Sequence, residues 1–124
     1  MTSSLPDPRS AILPLCAWLD DASVPPPSRQ VLATAVRASL YELARIAPGS
    51  SVEVRVPPFA AIQCVAGITH RRGTPPNVVE MDPRTWLRIV TGRELLGDNP
   101  QISISGTRAS EIARWLPIVR IPVQ

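Results

Sequence analysis

Hydrophobic positions along this chain switch between a spacing of three and four residues and a strict alternation. Ser28 opens the clearest helical stretch, predicted over 29–47, in which Leu32, Val36, Leu40, Leu43 and Ala47 form one stripe with Val31 and Ala35 beside it. Arg37, Glu42 and Arg45 fall on the other side, and Pro48-Gly49 ends the run. Upstream, Asp7-Pro8 can cap and start a helix to about residue 21 that carries Ile12, Leu13, Leu15, Cys16 and Leu19. Pro14 should kink or break it, and Val24-Pro-Pro-Pro27 is a stiff linker. Residues 51–56 alternate, with Val52, Val54 and Val56 on one face and Glu53 and Arg55 on the other. Pro57-Pro58 separates them from 59–65. A two-residue hairpin there would turn Gln63 inward and Ile62 outward. A continuous kinked strand keeps Val52, Val54, Val56, Ala60, Ile62 and Cys64 together, so the pattern favours it, with longer-looped hairpins left open.

In the second half, Ala66-Gly67 reads as a turn, 68–72 as a short strand and Gly73-Thr-Pro-Pro76 as a loop. Asn77-Val-Val-Glu-Met-Asp82 is then a strand that runs directly into a helix predicted over 83–91. Asp82 is its N-cap, Pro83 suits its first position and Gly92 is its stop. Trp86, Ile89 and Val90 share one face, with Leu87 at the edge. Residues 101–105 alternate as a strand, Gly106 turns the chain, and a last helix is expected over 108–116. The sum is an α+β domain, an antiparallel-rich sheet with helices packed on one face. It is read as a single domain over 1–124: a helical segment 7–47, a sheet-and-helix core 51–117 and a short apolar tail 118–124.

A hydrophobic content of 44% in 124 residues supports a core of ordinary size. The net charge of +3 comes with 13 arginines and no lysine, a pattern that GC-rich coding produces by itself. So small and scattered a surplus predicts no nucleic-acid partner. Cys16 and Cys64 lack metal or redox spacing and are expected as reduced core thiols. The N-terminus has no basic segment followed by an apolar run, and no stretch approaches the ~18 apolar residues of a membrane span. These features predict a cytoplasmic protein without stable membrane insertion.

Catalytic patterns are poorly represented. One histidine cannot build an ordinary His-rich metal site, and no Gly-rich phosphate loop, G-x-S-x-G or H-E-x-x-H is present. No catalytic residue, metal or cofactor is therefore expected. Cys64 and His70 could form a thiol–imidazole pair, but an inert thiol and a solvated imidazole suit their contexts better. Asp82 is accounted for as a cap, and Asp20-Asp21 as a solvated helix end. Thr69-His70-Arg71-Arg72-Gly73-Thr74 is the one concentrated basic element. It reads first as a solvated turn. At the mouth of a cavity, His70, Arg71 and Arg72 would hold an anionic head group.

The order strand, Asp-Pro, helix, Thr-Gly, loop, strand, Gly, helix resembles the C-terminal half of the sterol carrier protein 2 (SCP-2) family. The resemblance is best at Met81 to Gly92 and Ile102 to Gly106. Segments such as Val54-Arg-Val-Pro-Pro-Phe59 and Arg72-Gly-Thr-Pro-Pro-Asn-Val-Val79 look closer still to the actinobacterial sterol carrier branch. The likeness covers roughly 28–118. It implies an SCP-2-like fold and a non-enzymatic carrier of an apolar ligand: fatty acid, acyl-CoA or a sterol-like lipid. It also implies a tunnel between sheet and helices walled by Trp86, Ile89, Val90, Leu95, Leu96, Ile112, Trp115 and Leu116. Gly92 to Ile102 is a few residues shorter than is usual in the family, which leaves either an open groove or a filled core. The alternative function is an interaction module that dimerises or meets a partner protein through the sheet edge or the apolar tail. Similar domains accompany the metal-binding helical bundles of mycothiol-dependent enzymes, but the first 48 residues here are too short for such a bundle and contain no histidine.

Overall fold

The computed structural model describes residues 5–67 and 76–123. Helices α1 (Pro8–Ile12) and α2 (Cys16–Asp20) are joined by a 3₁₀ turn, Leu13–Leu15, where Pro14 interrupts the α-helical bonding. Asp7 caps α1 by accepting from Ser10 N–H. Helix α3 (Arg29–Ile46) is capped by Ser28, whose hydroxyl accepts from Val31 N–H at 3.2 Å. Its buried face is broader than a single stripe. Ala33, Ala35, Val36, Ala38, Ser39, Leu40 and Leu43 are all buried, because α3 packs against the sheet, α1 and α4 together.

The sheet runs β2-β1-β3-β4, with β1 Val52–Val56, β2 Ala60–Cys64, β3 Asn77–Glu80 and β4 Ser103–Ser105. β1 pairs antiparallel with β2 and parallel with β3, and β3 pairs antiparallel with β4, so the sheet is mixed. The expected kinked strand is instead a hairpin. Val56 pairs with Ala60 across Pro57-Pro58-Phe59, with Val54 opposite Ile62 and Val52 opposite Cys64. A three-residue loop preserves the even-numbered face that a continuous strand would have, so the inward set is unchanged while the chain reverses. The inner face (Val52, Val54, Val56, Cys64, Val79) is buried under the helices. The outer face carries Glu53, Arg55 and Glu80, where Arg55 bonds Glu53 and approaches Glu80. The strand expected over 68–72 lies outside the described residues.

Asp82 caps α4 (Pro83–Val90) with both carboxylate oxygens, on Thr85 N–H (2.8 Å) and Thr85 O–H (3.0 Å). An Asp82→Ala variant should lose about 1 kcal/mol in denaturant melts. A stable variant would show that α4 is held by packing alone. After β4 the expected last helix is present as a 3₁₀ helix, Ala109–Trp115, and Ala109, Ile112 and Trp115 carry the three-residue spacing that this geometry aligns. Buried Asn77 fixes its start, donating to Ser51 C=O (2.8 Å) and accepting from Arg108 N–H (2.9 Å). Gly106 has φ +98°, and a Cβ there would lie 2.4 Å from Asn77 Oδ1, so only glycine fits this corner.

One continuous core extends from Ala11 to Ile121. The N-terminal helices contribute Ile12, Leu15 and Leu19, each at most 1% exposed. Arginines then clamp the end of α2. Arg84 donates to Trp18 and Leu19 C=O at 3.2 and 3.0 Å, and Arg88 donates to Leu19 C=O. Cations thus satisfy the carbonyls that a helix C-terminus leaves open. The tail also folds back. Val119 N–H donates to Val90 C=O and Ile121 N–H to Thr91 C=O, while the Ile121 side chain is buried.

Candidate functional site

At the C-terminal end of α4 the chain makes a groove of about 270 Å³. The sequence ends α4 there because Gly92 takes φ +89°. The segment after it turns through a short 3₁₀ piece, Leu96–Asp98, and leaves space between itself and the end of the Ala109–Trp115 helix. Ile89, Leu95, Leu96, Ala113, Leu116 and Pro117 line it. Ile89 and Leu96 are buried, whereas Leu95 is 68% exposed. An exposed leucine beside a concave apolar surface is the unpartnered part of this arrangement. The volume is just below the roughly 300–1,000 Å³ of small-molecule pockets, so it suits part of a chain better than a whole polycyclic ligand.

Of the residues expected from the sequence, Ile89, Leu95, Leu96 and Leu116 meet at this groove. Trp86, Val90 and Ile112 do not; they are fully buried in the core. Trp86 Nε1–H donates to Ser39 Oγ at 2.9 Å, so its polar edge is spent inside the protein. Trp115 lines a separate notch with Ile46, Ala47, Pro48 and Val65. His70, Arg71 and Arg72 lie outside the described residues. Sequence reasoning missed Glu94 and Arg120, the two charged residues on the groove, along with Ala113 and Pro117. Glu94 is matched by Arg88 (Nε to Oε1 3.2 Å). The space between sheet and helices, where the tunnel was expected, holds fully buried Val36, Leu40, Leu43, Val54, Trp86 and Ile112.

Cys64 is fully buried, and loss of solvation pushes its thiol up to about 11, far from a neutral-pH thiolate. Burial likewise raises Cys16. Asp20 lies below the usual carboxylate range because Arg93 donates two hydrogen bonds to it. Among the described residues no group of three His, Cys, Asp or Glu side chains could hold a metal ion. No helix there is long and apolar enough to cross a membrane.

A family model described as the bacterial SCP ortholog matches residues 28–118. The chain therefore belongs to the bacterial sterol carrier protein family, a family of lipid carriers that are generally non-enzymatic. Its α+β architecture, with helices on one face of a four-stranded mixed sheet, agrees with an SCP-2-like fold. No curated protein matches the sequence. Both N-terminal helices and the end of the tail lie outside the matched segment, yet they complete the core around it.

Proposed function

We propose that this bacterial sterol carrier ortholog binds a single apolar chain, the acyl part of a fatty acid or acyl-CoA, without transforming it. The site is the open groove beside α4 rather than a closed tunnel. One observation carries the reading: Leu95 lines the groove and is 68% exposed, while Ile89 and Leu96 on the same groove are buried. Covering a leucine side chain of this kind with an acyl chain contributes about 1.5–3 kcal/mol, enough to select an apolar partner from water. The filled sheet–helix layer and the modest volume favour an acyl chain over a sterol nucleus. A single core supports one carrier domain, which we place in the cytoplasm of an actinobacterium. The alternative, an interaction module, needs a free sheet edge or a free apolar tail, and the tail is engaged with the end of α4 through Val119 and Ile121.

Mass spectrometry of organic extracts should find single-chain lipids carried by the purified protein. A Leu95→Glu variant should keep its stability within about 0.5 kcal/mol, as exposed surface changes usually do. It should lose dodecanoate binding by tenfold or more in calorimetric titration. Unchanged binding by this variant, or lipid-free extracts together with no titration signal, would remove the groove from the account.

A further inference from the structure

The two charges on the groove are not equivalent, and the difference says which end group the ligand carries. Glu94 is neutralised by Arg88 at 3.2 Å. Arg120 has no carboxylate within ion-pair distance among the described residues. Its guanidinium lies over Gly92, where an added Cβ would meet Nη1 at 3.1 Å. Gly92 thus leaves room for this cation at the groove wall. A second arginine is close, since Arg9 Nη1 donates to Arg120 C=O at 3.4 Å and has no carboxylate partner among the described residues either. The helix end beneath would ordinarily disfavour an anion. Here its carbonyls are already taken, Val90 by Val119 N–H and Thr91 by Ile121 N–H.

We infer that Arg120 pairs with the carboxylate of a single-chain fatty acid whose tail lies against Leu95, Leu96 and Leu116. The inference rests on the proposed groove and adds the head-group chemistry to it: a carboxylate anion rather than an alcohol or a neutral ester. A guanidinium presents parallel N–H donors that match a carboxylate in two hydrogen bonds. Because Arg120 is exposed, the pair orients the ligand and adds preference more than affinity.

The test compares dodecanoate with 1-dodecanol, below micellar concentrations, in calorimetric titrations of wild type, Arg120→Gln and Arg120→Glu. Wild type should prefer dodecanoate about two- to fivefold, the range an exposed ion pair gives. Arg120→Gln should lose that preference and Arg120→Glu reverse it, with the melting temperature unchanged in both. Salt should weaken dodecanoate alone. A preference that survives in Arg120→Gln, or equal losses for both ligands, overturns the role of Arg120 and leaves the groove standing. Wild type that takes up neither ligand overturns the groove reading and this inference together.

Discussion

Replacing Trp86 by Ala is expected to cost about 3–5 kcal/mol, the range for truncating a fully buried large aromatic residue. The indole is 0% exposed and occupies the core between α3 and α4. Its Nε1–H satisfies Ser39, which itself donates to Ala35 and Val36 C=O. Trp86→Phe should lose less, about 1–3 kcal/mol, because most of the ring volume stays and chiefly one buried hydrogen bond goes. Denaturant melts of the two variants separate packing from the polar contact. Were Trp86 a wall of the ligand site, the alanine variant would fold nearly as well as wild type and bind larger ligands.

Arg93→Ala is the second large effect, at about 1.5–3 kcal/mol, the range for hydrogen bonds to a charged group, because the Asp20 carboxylate left behind can turn to water. The Arg93 side chain is 1% exposed and Asp20 20%. It joins three separate parts of the chain, bonding Asp20 at the end of α2 and Ile121 C=O in the tail from its own place after α4. The pH dependence has a definite sign. Asp20 titrates lower in the folded protein than its ordinary 3.8, so the pair stabilises fully above that value. That stability is lost as pH falls through the folded value. The gap between wild type and Arg93→Ala should therefore narrow below about pH 4. A gap that stays constant down to pH 2 would show that Arg93 acts by packing and not by charge.

Much of this architecture is local and can be read from the chain. Asp82-Pro83 announces α4, Ser28 announces α3, and the valines of 52–56 announce β1, because caps and alternation act over a few residues. The β1–β2 connection could not be read from parity. With Val56 opposite Ala60, a three-residue turn leaves the same residues inward as no turn at all. The last helix had its signal in the 109, 112, 115 spacing, closer to three residues per turn than to 3.6. The groove was legible only in outline. Trp86 and Ile112 share helical stripes with Ile89 and Leu116, and periodicity says that a face is apolar without saying whether protein or ligand covers it. Arg120 and Glu94 were hidden for another reason. Arg120 reaches the groove only because the tail returns to Val90 and Thr91, a long-range contact with no local pattern, and Glu94 lies in the irregular segment after α4.

The most direct test of the carrier reading is an amide-resolved NMR titration of the whole chain with dodecanoate. Saturable shifts are expected to cluster at Ile89, Leu95, Leu96, Gly97 and Leu116, with the β1 and β2 amides unmoved. Shifts confined to the separate surface notch at Arg29, Arg37 and Phe59, or no saturable shifts at all, would contradict it.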